Sequence, residues 1–595
     1  MENNFHVDTP HAAVVIWNYK DRLGADGSNI STVDDTEKEI IINTSDCISI
    51  ETTKAKGNPQ GSFRFVLAPS TNWVSAITAG SWCCIFMSTK EIKPWDLTTA
   101  NDTREFKKNS LKMIGKIESV RIETQVDQSG ARRSLYYVSG VDWGCVFNTN
   151  IYIDPAIPAS GDPSTQGNIL FVALRKLFED KNNHMQYIST DDVITGLKDI
   201  CGVNLTDINK GAQSVGKLGK SVYEFKFPQG LKNYLGLSSD KIMSNINLKS
   251  GSLQKLQNKY EPVVEAVSVP SVLTLQGQFS LWQVMMENSN PSLNEMFCEI
   301  DWDDEMSDAP NFILYKRIKP FSFKEGKKSN TISSNIRSYF QLVKRHEIHN
   351  INVVSINAGT NSRDKFNYAQ IRFDTQQLQA LDNIIRRGLE TFDEVAFQRE
   401  GFKAFIESTK QLPIVPKKDK NITHKEIGVT KEVAAGWVGL LREWYFDTHR
   451  MLNGTINMVG VSEYMAVGNN IQFDLSLINP TLNMTETTLK GKNKYYVLAH
   501  IESISHKFSI EGDGARSYMT NIQFSRGVII EGGKENKKGH DDKNKSEQKT
   551  FILDQDATLI PRVYDINSIN TVLTQHEKDP GPPQTTIEKD LKGQL

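Results

Sequence analysis

One short pattern occurs twice in this chain, far apart, and it restricts the fold more than any other feature. Ile117-Glu118-Ser119-Val120 is followed, 13 residues after Ile117, by Gly130-Ala131-Arg132; Ile501-Glu502-Ser503-Ile504 is followed, 13 residues after Ile501, by Gly514-Ala515-Arg516. Upstream of each stands a glycine before an apolar run, Gly80-Ser81-Trp82-Cys83-Cys84-Ile85 and Gly468-Asn469-Asn470-Ile471-Gln472-Phe473. Downstream come Tyr136-Tyr137-Val138-Ser139-Gly140 and Met519-Thr520-Asn521-Ile522-Gln523-Phe524. Each copy reads as a glycine bend opening a strand, then a hairpin whose polar tip carries glycines able to take positive φ. Two copies of one small β-domain then flank whatever lies between them. A chain with two like barrels can mimic two subunits. Three such chains would close a ring of six similar units about a threefold axis, able to meet a sixfold partner on one face and a threefold partner on the other.

The length of 595 residues leaves room for more than this pair. It is about four times the usual domain of roughly 150 residues. Residues 1–155 have β texture throughout, with short β-branched and aromatic runs separated by turn formers such as Asp26-Gly27 and Ser129-Gly130, and read as the first tube-like barrel. The period turns helical at Leu170, Ala173, Leu174, Leu177 and Phe178, and again at Val193, Ile194, Leu197 and Ile200 after the capping run Ser189-Thr190-Asp191-Asp192. Residues 156–265 are therefore a helical and loop insertion, with the Lys-rich stretch 205–260 read as loop or partner surface. Residues 266–450 alternate helices (Phe279 to Met286, Glu432 to Thr448) with strands (Phe312 to Tyr315, Ile351 to Ile356), which suits an α/β middle domain. The second barrel spans 451–530. After it, 531–595 form a polar linker and tail. The fold class expected is α+β and multidomain: two similar small antiparallel β-barrels flanking α/β middle domains.

Composition removes several function classes. With 38% hydrophobic and 24% charged residues the chain can build several cores. No run approaches 18 apolar residues and the start lacks a signal-peptide pattern, so neither membrane spanning nor export is expected. Lys and Arg number 69 against 71 acids, which gives no overall field favouring nucleic acid. Six cysteines, Cys47, Cys83, Cys84, Cys145, Cys201 and Cys298, form no C-x-x-C pair. They read as reduced structural thiols, with Cys83 and Cys84 on opposite faces of one strand.

From about residue 60 to 528 the chain resembles the central baseplate hub of contractile phage tails, the family that also supplies the hub half of type VI secretion spike proteins. The resemblance rests on GSFRFVLAPSTNW, AGSWCCIFM, GKIESV and YYVSGVDWG in the first β region. In the middle it rests on Asn294-Glu295-Met296-Phe297, Pro310 and Tyr315-Lys316-Arg317-Ile318-Lys319-Pro320-Phe321, similar to a helix, an acidic loop and a strand ending in Arg-x-x-Pro-Phe. Further on it rests on ISSNIRSYFQLVKRHEIHNINVV, WYFDTHRMLNGTINMVG and YYVLAHIESISHKF, closing at Phe524-Ser525-Arg526-Gly527. The order of these motifs carries more weight than any one of them. The resemblance implies a homotrimer whose barrels form a pseudo-sixfold ring in the virion tail baseplate, assembled in the host cytoplasm. Its partners would be tail tube or tube-initiator proteins, the central spike and baseplate wedge components.

Candidate chemical sites are weaker than this. His346-Glu347-Ile348-His349 lacks the HExxH spacing that puts two imidazoles over zinc and reads as a loop entering a strand. Asp301-Trp302-Asp303-Asp304-Glu305 is acidic, but Met306 stands where a calcium loop needs glycine. Glu295 is a tempting acid, yet no second carboxylate is specified beside it, and a structural role is expected. Cys201 and Cys298 lack a motif-linked histidine, and no phosphate-binding glycine run occurs. No catalytic, metal or cofactor residue is assigned and no cofactor is expected. The leading reading is a non-enzymatic hub joining tube to spike. A hub-borne peptidoglycan hydrolase and, more distantly, a carbohydrate-binding adhesin are the other two. In the tail, Phe551, Ile552, Leu553, Val563 and Tyr564, with Leu559 and Ile560, form an apolar cluster expected to dock on a partner.

Overall fold

The computed structural model describes residues 9–18, 38–97, 104–126, 132–148, 150–153, 187–200, 226–251, 264–268, 277–292, 294–302, 309–319, 344–361, 365–373, 389–409, 411–414, 445–446, 449, 451–461, 464–478, 495–511 and 514–531. Its frame is a 13-stranded sheet, antiparallel except for one pair. The first half comprises β1 (His11–Asn18), β2 (Lys38–Ile42), β3 (Cys47–Ala55), β4 (Ser62–Leu67), β5 (Trp82–Ser88), β6 (Leu111–Val126) and β7 (Arg132–Asp142), in the order β3-β4-β7-β6-β5-β1-β2. The second half runs Val353–Gly359, Leu452–Val459, Arg516–Glu531, Tyr495–Ile510, Asn470–Asp474, Arg345–Ile348.

These two orders coincide once β1 is set aside. β2 and β5 both pair antiparallel with β1, so they run parallel to each other; in the second half Arg345–Ile348 pairs directly and in parallel with Asn470–Asp474. β1 is thus an extra strand slipped into the first copy. The match reaches individual hydrogen bonds. The Gly80 N–H donates to the Ile117 carbonyl (2.7 Å) and the Ile117 N–H to the Ser81 carbonyl (2.8 Å); Gly468 to Ile501 and Ile501 to Asn469 repeat both, at 2.9 Å each. Both long hairpins slip register at an equivalent place, between Ile117 and Ser119 and between Ile501 and Ser503, and the second slips once more between Leu498 and His500. A second slip recurs between Cys47 and Ser49 and between Val353 and Ser355, each after a short 3₁₀ turn, Thr44–Asp46 and Asn350–Asn352. Bulges re-aim strands locally, and two shared bulges are hard to obtain without a shared ancestor fold.

Two strands of the second copy lie before residue 451. The connection from Val353–Gly359 to Leu452–Val459 carries its own small sheet, Tyr368–Phe373 between Leu389–Phe392 and Ala404–Thr409, where β3 and β4 are joined by a short turn. The two copies are also not separate closed barrels. β3 pairs antiparallel along Tyr495–Ile510, from Ser503↔Ala55 to Ser509↔Ser49, so one open sheet path runs through both among the described residues. Sequence periodicity cannot register this, because an alternating strand reads alike whether its edge neighbour is local or 450 residues away.

The sheet has cores on both faces in its first half. Ala12, Val14, Ile16, Cys83 and Ile85 face one core with Phe63, Phe65 and Phe508; Ala13, Val15, Trp17, Cys84 and Phe86 face another. The five described cysteines are free, and Cys83 and Cys84 do point to opposite faces. The second face of β1 and β5 is covered by residues expected to form loop or partner surface. Phe227, Leu231, Tyr234 and Leu235, spaced to share one helical face around Gln229–Leu235, are buried there, with Trp82–Phe227 and Trp17–Tyr234 ring centroids 4.9 and 5.1 Å apart. Lysines between these positions dilute the mean hydropathy without disturbing the buried stripe. Helix Thr190–Ile200 buries Val193, Ile194 and Leu197 beside them, and helix Leu281–Asn288 starts at Ser280, whose hydroxyl accepts the Gln283 N–H (3.1 Å). Asn294-Glu295-Met296-Phe297 is not helical: Asn294–Asp301 is a strand antiparallel to Asn311–Ile318, which in turn runs parallel to Ile246–Gly251. The helix reading fails because Met296, Cys298 and Ile300 alternate into the core with strand period. The helices expected at 170–178 and 432–448 lie wholly or almost wholly outside the described residues, as does the tail cluster. No helix among the described residues is long and apolar enough to cross a membrane.

Candidate functional site

Where β3 meets the second copy, the sheet carries a group of buried and half-buried charges contributed by three parts of the chain. Lys54 and Lys56 come from and just beyond the end of β3, His500 and Glu502 from Tyr495–Ile510, and Glu295, Glu299 and Arg317 from the Asn294–Asp301/Asn311–Ile318 pair. Glu295 is the centre. Its carboxylate takes Arg317 Nε at 2.6 Å on one oxygen and Lys56 Nζ at 2.7 Å on the other, with His500 Nε2 at 3.5 Å. Lys56 also reaches Glu502 (3.0 Å), which accepts from the Ser525 hydroxyl, and the Lys56 N–H donates to the Glu502 carbonyl at 2.8 Å. Arg317 lies over the Phe297 ring (5.0 Å) and donates to the Gly468 carbonyl.

Local sequence explains why these groups can meet. Gly468 has φ +78°, and a Cβ there would stand 2.3 Å from the Phe297 ring and 2.8 Å from the Arg317 guanidinium. Its repeat mate Gly80, φ +93°, has open space around it. Gly80 is required by the bend alone, Gly468 by the bend and by the close approach of Arg317. Phe297 and Arg317 alternate onto the same side of the paired strands, where Glu295 sits directly opposite Arg317.

The electrostatics are those of an anchor. Burial would raise the Glu295 carboxyl, but Lys56, Arg317 and His500 together hold it well below the usual carboxylate range, so it is ionised. Glu502 is also held low, by Lys56. His500 is pushed down to about 4 by burial and by the Lys56 charge, which leaves it neutral at pH 7 although a carboxylate lies near. Next to this group, Lys54 pairs with Asp142 (2.7 Å) and stands over Trp143 (5.5 Å). Glu299, raised by burial, accepts the Tyr464 hydroxyl (2.5 Å) and the Val467 N–H (3.1 Å). Paired around a buried Glu295, these residues can hold three segments in one relation. Glu295 has no second carboxylate placed across an open cleft from it in the contacts it makes.

The remaining sequence candidates separate. His346 is buried on strand Arg345–Ile348 with Nε2 3.1 Å from the Asn469 amide, whereas His349 precedes a 3₁₀ turn at the surface, so the two are not gathered about one point. No group of three or more potential metal ligands occurs among the described residues. Asp301 pairs with Lys249 (2.5 Å), and the acidic residues after Trp302 lie outside the described ones, as does Cys201. Cys298 is buried with its thiol pushed up by desolvation. Glu295 stands out in the sequence without its partners: Lys56 carries no motif, and Arg317 and His500 lie within stretches that carry the resemblance but show no link to Glu295.

No family model matches the chain and no curated protein matches it. Among solved structures it is similar to a tail protein from Neisseria meningitidis MC58, at 10% identity and TM-score 0.35, covering 87% of this chain and 96% of that one. It is similar also to the 43 kDa tail protein of prophage MuSo2 from Shewanella oneidensis, at 10% identity and TM-score 0.37, covering 87% and 98%. A third is the Francisella PdpA-VgrG complex, half-lidded, at 8% identity and TM-score 0.33, covering 88% of this chain and 59% of that one.

Proposed function

We propose that this chain is the structural hub of a contractile-tail baseplate, a homotrimer whose duplicated β units form a ring of six that joins a sixfold tube to a threefold spike. One observation carries the reading: two units that share strand order, two bulges and the glycine–isoleucine bridges sit side by side in one sheet, so that a single chain presents a similar surface twice. A body with two like units per chain generates six positions when three copies close. The motifs shared with the hub family support the same conclusion. Each repeat then faces the tube, while the segments that differ between repeats face the spike and the wedge components.

The role is mechanical, not hydrolytic. Glu295 is ionised and clamped by two cations, the opposite of a general acid, which needs a proton at neutral pH and an approach for substrate. The tail residues Phe551, Ile552, Leu553, Val563 and Tyr564 serve as a tethered docking arm on a neighbouring tail component. The reading is tested by native mass spectrometry and light scattering of the full chain, alone and with its spike. Trimers are expected; a stable monomer or dimer even with the spike present refutes it.

A further inference from the structure

The junction between the copies defines two complementary edges that, among the described residues, have no strand beside them. In the second copy, Ser503–Ser509 is covered by Ser49–Ala55 of β3. The equivalent stretch of the first copy, residues 119–125 of β6, pairs with β7 on one side only, because β5 ends its pairing at Lys116. Conversely, the counterpart of β3 is Val353–Gly359, which pairs with Leu452–Val459 and with no other strand. Matching the bulges sets the alignment: Cys47, Ser49, Ile50 and Thr52 correspond to Val353, Ser355, Ile356 and Ala358.

Burial differs between the filled junction and these two edges. Ile504, His506, Ile50 and Thr52 are buried at the filled junction. Their counterparts Val120, Ile356 and Ala358 are only half-buried, and Ile122 is 51% exposed. Of the nine exposed large hydrophobics among the described residues, four, Ile122, Val126, Ile351 and Val354, lie on or next to these two edges. Long unpaired edges with apolar side chains are templates for another strand.

We propose that Val353–Gly359 of one copy pairs antiparallel with residues 119–125 of β6 of a second copy, repeating between chains the junction made within each. The proposal rests on the trimeric reading for the number of copies, not for the pairing itself. Transferring Lys507↔Glu51 and His506↔Thr52 gives Glu123 opposite Asn357 and Ile122 opposite Ala358. Three residues beyond the Glu123–Asn357 pair, Val126, 65% exposed, meets Val354, 59% exposed. The faces follow the same register: Ile122, Thr124 and Val126 meet Ala358, Ile356 and Val354 on one side, and Arg121 and Glu123 meet Gly359 and Asn357 on the other. The contact is heterologous, so successive copies add in one rotational sense and close into a ring.

The register is tested by cysteine pairs in the full chain. The Lys56–Glu502 hydrogen bond fixes the alternation of the filled junction, which makes Glu51–Lys507 a non-hydrogen-bonded pair, and so too its transferred equivalent Glu123–Asn357. Non-hydrogen-bonded partners bring Cα atoms within disulfide reach. Glu123→Cys with Asn357→Cys should oxidise to covalent trimers on denaturing gels. Glu123→Cys with Ser355→Cys, two residues out of register, should give at least fivefold less, and neither single variant should give trimers. Trimers by native mass spectrometry with no in-register cross-link, or with the out-of-register pair preferred, overturn this pairing and leave the hub reading standing. A chain that stays monomeric with its spike overturns both.

Discussion

Glu295→Gln isolates the charge cage from everything around it. The substitution keeps the side chain's volume while removing the charge that Arg317 and Lys56 share at 2.6 and 2.7 Å. Taking one member from a buried ion pair typically costs about 3–5 kcal/mol, because the remaining charge is left in low dielectric. Here the loss is partly caught. Lys56 keeps Glu502, and Arg317 keeps the Gly468 carbonyl and the Phe297 face. The lower end, about 3 kcal/mol, is therefore expected. With a urea slope of about 3 kcal/mol/M, the midpoint should fall by about 1 M with the slope unchanged. Tryptophan fluorescence can follow this, since Trp143 lies beside Lys54 and Trp282 donates to the Gly57 carbonyl close to the junction. A double-mutant cycle with Arg317→Met should give a coupling above about 1 kcal/mol. A midpoint within experimental error of the parent chain would refute the idea that these charges hold the junction. Wall digestion abolished by the same change, with assembly intact, would refute the non-catalytic role.

Three further outcomes are expected. Gly80→Ala should cost about 1 kcal/mol, the penalty of a positive φ alone, whereas Gly468→Ala, which drives a Cβ to 2.3 Å from Phe297, should cost at least twice that in thermal melts; equal losses would contradict the close-approach account. His500 is neutral when folded down to about pH 4 but takes a proton below its ordinary 6.5 when unfolded, so unfolding takes up protons between those values. Stability should fall as pH drops through that window, by about 3 kcal/mol from this residue, with His506 adding in the same direction. His500→Gln should flatten urea midpoints measured from pH 7 to 4, while the Glu295 share, whose folded carboxyl is held low, is lost only at lower pH. Truncation after Gly533 should leave the trimer folded and reduce its incorporation into baseplates, scored by particle reconstitution; undiminished incorporation would remove the docking role.

What the sequence determined by itself was local and periodic. The duplicated Ile-Glu-Ser motif with its glycines located both hairpins and both bends, because a bulge, a positive φ and an alternating strand are short-range demands that each copy must encode afresh. The burial of Cys83 and Cys84 on opposite faces and the helix faces at Val193 and Leu281 were legible for the same reason. Tertiary structure decided the rest. That Arg345–Ile348 and Val353–Gly359 belong to the second copy, and that β3 bridges the copies, depends on edge pairing between segments far apart in the chain, and backbone hydrogen bonds carry no sequence signature. Residues 227–246 looked like surface because lysines can project to water from a helix whose other face is buried. Glu295 likewise shows no function in its own neighbourhood. Its charge is set by Lys56 and Arg317, which only the folded chain brings within reach, since Coulomb energy depends on distance in space rather than along the sequence.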